Sequence, residues 1–246
     1  MKKGKRLRGD MTGFIIQLGR AAAFAAFLSL AACAGEEEPA APAPGPVDPY
    51  SYDPVNLEVW LERLEVGSRE LYSARASVVE ALNLRPGARV ADIGAGTGLY
   101  TLLFAEQVGA DGVIYAVDIE PRFLSLINQR ADDLGLDNVV SVLSREDSIT
   151  LPPNSVDVVF ICDTYHYFEA PEAVMRTVFS ALRPGGALYV IDYDLKAGEA
   201  PEPDKRHVYA GREGVAAAIE AVGFRLVGPV EAAGLSENYM LRFTRP

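Results

Sequence analysis

Cysteine and histidine are scarce in this chain, two of each in 246 residues. Cys33 lies beside an N-terminal apolar run and Cys162 in a buried-strand pattern, so no intrachain disulfide is expected. The chain has no spaced Cys/His cluster for zinc, and with His166 and His207 as its two histidines a dedicated transition-metal site is not expected. Basic residues are also few: 23 Lys and Arg face 34 Asp and Glu, a formal net charge of −11. Such a balance repels phosphate backbones and excludes DNA or RNA as a partner. The apolar run from Ala21 to Ala32 falls short of the roughly 20 residues of a membrane-spanning helix. There is no G-x-x-x-x-G-K for a phosphate loop and no G-x-S-x-G for a serine nucleophile. The length, with a leader set aside, allows a single domain.

What the chain does have is Val90-Ala91-Asp92-Ile93-Gly94-Ala95-Gly96-Thr97-Gly98. Arg89 to Ile93 reads as a buried strand, and Leu99 to Val108 as the helix that follows. The three glycines let the turn between them tighten and approach a ligand where a Cβ would collide. Their spacing is G-x-G-x-G, not the G-x-G-x-x-G of dinucleotide-binding turns. Asp92 before them would repel a pyrophosphate but attract a cationic amine. A second strand, Gly112 to Val117, ends in Asp118. A carboxylate at that point can accept from both hydroxyls of a ribose, with Ile119 beside it.

This glycine turn resembles the first motif of class I S-adenosylmethionine-dependent methyltransferases. Leu151-Pro152-Pro153-Asn154-Ser155-Val156-Asp157-Val158-Val159 is similar to that family's approach to its fourth strand. The resemblance covers roughly Val78 to Pro246 and implies S-adenosylmethionine as cofactor. It assigns Asp92, Gly94, Ala95, Gly96 and Gly98 to the amino-acid end, Asp118 and Ile119 to the ribose, and Asp147 to the adenine amino group. Glu146 competes with Asp147, because the loop length is open, and a merely solvated acidic loop is the third reading. The strand from Val156 to Cys162 delivers Asp163-Thr164-Tyr165-His166-Tyr167-Phe168 to the sheet's ligand-bearing end. In the family that segment borders the methyl acceptor. Asp163, Tyr165 and His166 are thus the catalytic candidates, either to contact the acceptor and take its proton or only to shape its pocket.

Val139 to Leu143 supplies a third strand, Pro171 to Leu182 a helix, Arg183-Pro184-Gly185-Gly186 a turn, and Ala187 to Asp192 a fifth strand. Glu213 to Val222 reads as an amphipathic helix, with closing strands at Phe224 to Val230 and Tyr239 to Thr244. Alternating strands and helices imply an α/β fold: a Rossmann-like, doubly wound seven-stranded sheet, mostly parallel with an antiparallel last strand. No Asn-Pro-Pro-Tyr occurs, which argues against an amide or exocyclic amine as acceptor. The acceptor is therefore expected to be a small molecule or a protein nucleophile. A non-catalytic lipoprotein that uses the fold to bind a nucleoside-like ligand is the alternative.

Six basic residues and one acid precede Cys33, and Leu30-Ala31-Ala32-Cys33 resembles a bacterial lipobox, whose cysteine is acylated after the leader is removed. The expected organisation is a lipoprotein signal peptide over 1–32, an Ala/Pro-rich tether over 33–54, and a methyltransferase domain over 55–246 with an N-terminal helical extension. A lipid on Cys33 would tie the domain to a membrane on its extracytoplasmic side, away from where the cofactor is made. One or two helices between Ser51 and Leu84 would roof the cofactor, with Tyr72 and Arg75 near it or simply packed on the sheet. Arg206 and His207 belong to a charged connector, or line the pocket.

Overall fold

A computed structural model describes residues 56–194 and 211–246. The leader, Cys33, the tether, Arg206 and His207 lie outside the described residues. Three helices come first: α1 (Leu57–Leu64), α2 (Glu70–Ser73) and α3 (Arg75–Leu82). Asn56 starts α1, its side chain accepting from the Val59 N–H. Then β1 (Arg89–Ile93), α4 (Leu99–Val108), β2 (Val113–Asp118), α5 (Pro121–Leu134), β3 (Val139–Leu143) and β4 (Val156–Cys162) alternate. A 3₁₀ turn at Tyr165–Tyr167 leads to α6 (Pro171–Ala181) and β5 (Leu182–Tyr193); α7 (Arg212–Val222), β6 (Arg225–Pro229) and β7 (Asn238–Thr244) close the chain.

The strand order is β3-β2-β1-β4-β5-β7-β6. The first five strands are parallel, and β7 runs antiparallel between β5 and β6. The order reverses between β1 and β4, and ligands of open α/β sheets sit outside the carboxyl ends of the strands at that reversal. Period-two alternation divides the core between the two faces. Ala91, Ile93, Val159 and Ile161 pack with α6 and α7, whereas Val90 and Phe160 pack with α3 and α4. Asp92, two residues after Val90, thereby faces α4 from within the sheet.

Two local features differ from the pattern in the sequence. The Arg183-Pro184-Gly185-Gly186 segment is not a turn ahead of β5 but lies inside it. Val156 pairs with Leu182 and Val158 with Ala187, so the pairing slips there and the extra residues bulge out of register. Asp157 anchors this irregularity, accepting from Arg183 Nη1 at 2.5 Å and from the Arg89 N–H at 2.9 Å. The second is α5, which has no counterpart in the sequence reading although its signals are present. Pro121 opens it, Glu120 accepts from the Arg122 N–H at 3.0 Å, and Gly135 ends it in the left-handed region.

Candidate active site

The glycine turn is fastened to the ends of β1 and β2 by its own backbone. The Gly94 and Ala95 N–H groups both donate to the Val117 carbonyl, at 2.8 and 3.2 Å. Gly96 N–H donates to Asp118 Oδ2 at 2.8 Å, and Glu120 N–H to Asp118 Oδ1 at 2.9 Å. One buried carboxylate, 6 % exposed, therefore holds two loops together. Three backbone donors against about four lone-pair sites leave this carboxylate with acceptor capacity to spare. Burial raises the Asp118 pKa, against the backbone bonds from Glu120, Gly96 and Ile119 that lower it. Gly94 has φ +70°, and a Cβ there would stand 2.3 Å from Thr164 Cγ2. The turn is a cradle that any other side chain would fill.

Asp92 is 4 % exposed, and its Oδ2 accepts from Thr101 Oγ1 on α4 at 2.6 Å. Burial pushes its pKa up to about 7, the bond from Thr101 opposes this, and the Asp118 charge adds to it. Asp92, the turn from Gly94 to Thr97, Asp118, Ile119 and Glu146 line one cavity of about 770 Å³ at the carboxyl ends of β1, β2 and β4. Asp147 faces a separate shallow hollow next to it, together with Arg145, Glu146 and Glu169. Of the two adjacent carboxylates, it is Glu146 that reaches the main cavity.

The far end of the cavity holds Asp163, Tyr167, Phe168 and Tyr193. Asp163 has φ +53°, in the left-handed region that non-glycine residues seldom adopt. Tyr165 and His166 are not brought to that wall. The 3₁₀ turn sends Tyr165 into the core, where its ring meets Phe168 at 5.7 Å between centroids. His166 is buried, with Nδ1 2.6 Å from Asp192 Oδ1. Asp163, His166 and Asp192 offer atoms within 4.8 Å of one another. Within that cluster His166 is bonded directly to Asp192, and the Arg69 guanidinium is paired with Asp163.

The N-terminal helices form the roof. Trp60 and Leu64 of α1 line the cavity, and Trp60 meets Phe123 of α5 edge-on at 5.9 Å. Polar links hold this roof down, since α1 has no fully buried side chain. Arg130 on α5 grips both oxygens of Glu65 at 2.5 and 3.0 Å and donates to the Thr97 carbonyl of the glycine turn at 2.8 Å. Arg69 donates to Asp163 Oδ2 at 2.5 Å. Tyr72 and Arg75 do not line the cavity; they stack on each other, 4.1 Å from guanidinium to ring.

Glu70, next to Arg69, binds the loop between β6 and β7. It accepts from the backbone N–H groups of Ser236, Glu237 and Asn238 at 2.6, 2.7 and 3.3 Å. Partial burial would raise its pKa, but these backbone donors outweigh that and hold it below the ordinary value. With a lowered folded pKa, the stability it contributes is present above the ordinary carboxylate range and is lost as pH falls through the folded value. Glu70→Gln is expected to lower unfolding free energy at neutral pH by about 1 kcal/mol, as such bonds contribute. Urea unfolding should show the gap between variant and parent closing in acid; a gap constant down to about pH 3, below the ordinary glutamate range, would deny the assignment.

A glycine turn and two buried carboxylates, Asp92 and Asp118, around one cavity at the reversal point of this sheet fit the class I S-adenosylmethionine-dependent methyltransferase pattern read from the sequence. Comparison with known proteins gives the same class. Residues 84–226, more than half of the chain, match the family described as "Methyltransferase domain". The chain belongs to that family. It is similar to the ubiquinone/menaquinone biosynthesis C-methyltransferase UbiE of Ectopseudomonas mendocina, with 34 % identity over 116 residues, 47 % of this chain and 45 % of that protein. The Hydrogenovibrio crunogenus UbiE is 27 % identical over 139 residues, covering 56 % and 54 %. The chain thus matches about half the length of these relatives. A solved S-adenosylmethionine-dependent methyltransferase from Aquifex aeolicus superposes with TM-score 0.67 at 27 % identity, over 79 % of this chain and all of that one.

Proposed function

We propose that the enzyme methylates a small acceptor with a planar ring, bound between Tyr167, Tyr193 and Phe168 under the roof that Arg69 fastens to Asp163. The carrying observation is that roof. α1 and α2 cover the cavity and the Arg69–Asp163 pair spans its acceptor end, which suits a small molecule better than a folded protein surface. The similarity to relatives named ubiquinone/menaquinone biosynthesis C-methyltransferases supports a quinone-like ring acceptor.

In this reading Asp92 takes the ligand's ammonium, Gly94 to Thr97 its amino-acid backbone, Asp118 the ribose hydroxyls, and Glu146, in place of Asp147, the adenine edge; Gly98, expected in the same set, does not line the cavity but starts α4 against Ile127. When bound, S-adenosylmethionine supplies a methyl group already activated by its sulfonium charge. The residues of this chain then have to align the acceptor, exclude water and receive a proton where the acceptor gives one up. Asp163 is placed for that proton at the acceptor end. His166, buried behind it against Asp192, supports that end from outside.

The full chain should be incubated with methyl-labelled S-adenosylmethionine and three acceptor panels: hydroquinones, phenols, and an unfolded protein mixture. Label on ring compounds that falls at least tenfold in Asp163→Asn, the scale of lost general-base help, is the expected result. Label on protein alone would overturn the small-acceptor reading.

We further propose that Cys33 carries a lipid and tethers the domain to the outer side of a membrane. The basic leader and Leu30-Ala31-Ala32-Cys33 support this. Fatty-acid labelling should depend on Cys33, and label persisting in Cys33→Ser would refute it. The excess of acid over base supports the absence of nucleic-acid partners.

A further inference from the structure

We infer that Thr101 is a positioning residue for the ligand's ammonium group: it holds one oxygen of Asp92, turns the other to the cavity, and makes occupancy of the site depend on Asp92 giving up a proton. This rests on the reading that the cavity takes S-adenosylmethionine by its amino-acid end at Asp92.

The geometry behind it is a buried acid with no counter-charge among the described residues. Thr101 is fully buried and Asp92 nearly so, and their 2.6 Å bond crosses from α4 to β1 beneath the glycine turn. The titratable groups facing Asp92 are Asp118 from β2, Tyr100 from α4 and Cys162 from β4. None of them is a cation. The nearby guanidiniums are committed elsewhere, Arg69 to Asp163 and Arg130 to Glu65.

A carboxylate in such surroundings takes up a proton, because ionisation without a partner costs more than in water. Burial, first among the causes, brings its pKa to about 7, so the proton is held or released near neutrality. Arrival of an ammonium reverses the preference. The Asp92 O–H bond breaks, its proton goes to the solvent, and the ammonium donates to the freed carboxylate. Thr101 decides how readily this happens, since its hydroxyl donates only to the ionised form's advantage. Without it the proton would be held to higher pH.

The test is calorimetric titration of the full chain with S-adenosylmethionine and with its demethylated product, in two buffers of different ionisation heat. Release of about half a proton per site near neutral pH is expected, with affinity rising about eightfold between pH 6 and pH 7.5. In Thr101→Val the rise should move to higher pH and neutral-pH affinity should fall, while Thr101→Ser restores both. Asp92→Asn, which keeps an acceptor for Thr101, should abolish the proton release. Tight binding with no proton exchange, or a Thr101→Val profile identical to the parent's, would overturn the coupling and leave the cofactor reading standing. No binding of either compound at millimolar concentration would overturn that reading as well.

Discussion

Replacing Asp118 by alanine is expected to weaken S-adenosylmethionine binding by about 10²- to 10³-fold, each hydrogen bond to a charged group contributing about 1.5–3 kcal/mol and each 1.4 kcal/mol a factor of ten. Two losses act together. The acceptor for the ribose hydroxyls disappears, and the Gly96 and Glu120 N–H groups, now donating to it at 2.8 and 2.9 Å, lose their partner. The second loss loosens the turn itself, so part of the cost falls on the empty protein. Asp118→Asn separates the two, because its remaining carbonyl oxygen can keep the Gly96 bond while the charge is gone. It should sit between parent and alanine variant. Calorimetric titration with thermal unfolding of the same samples distinguishes weakened contact from a weakened fold. A loss below about fivefold in the alanine variant, under the cost of one such bond, would remove Asp118 from the site.

Asp118 and the glycine turn are legible in the sequence for a physical reason. A strand buried on both faces needs an unbroken apolar run, so a carboxylate at its end and glycines after it stand out. The same holds for the sheet, since Val90, Val159 and their neighbours leave little choice of element. What holds the site closed is of another kind. Arg69 meets Asp163 across 94 positions and Glu70 meets Ser236 across 166. No local pattern encodes a pairing at that distance, and Arg69 and Glu70 alone read as ordinary surface charges. Thr101 is hidden differently, as a hydroxyl in an apolar helix that acquires meaning only once period-two alternation turns Asp92 toward it.

The segment after β4 shows a third limit. Its position at the ligand end of the sheet follows from the strand, but its side-chain directions follow from a 3₁₀ turn and from the positive φ of Asp163. A shift of one residue in such a turn exchanges wall for core. That is why Asp163 faces the cavity while Tyr165 lies in the core and His166 against Asp192. Glu146 reaches the main cavity and Asp147 only the hollow beside it for the same reason. Where loop register sets direction, residue type gives a short list and the backbone chooses from it.

Gly94→Ala is expected to be the most damaging single change in the turn. The added methyl would stand 2.3 and 2.4 Å from Thr164 Cγ2 and Oγ1, and 2.9 Å from Thr164 Cβ. Thr164 has little room to yield, because its Oγ1 donates to the Cys162 carbonyl at 2.8 Å. A left-handed φ of +70° adds a second cost that any L side chain incurs. Strain of about 1–2 kcal/mol for that φ and about 1–3 for overpacking give roughly 2–5 kcal/mol of destabilisation, with binding of S-adenosylmethionine lost as the turn shifts. The two costs can be separated. Thr164→Ala removes the two closest contacts but leaves the 2.9 Å one and the backbone strain. In a double-mutant cycle followed by urea unfolding, it should return about 1–2 kcal/mol to the Gly94→Ala variant and no more. A Gly94→Ala protein within about 0.5 kcal/mol of the parent, the range of an inert surface change, would mean that the turn does not need glycine there. Full recovery in the double variant would assign the whole cost to Thr164 and none to φ.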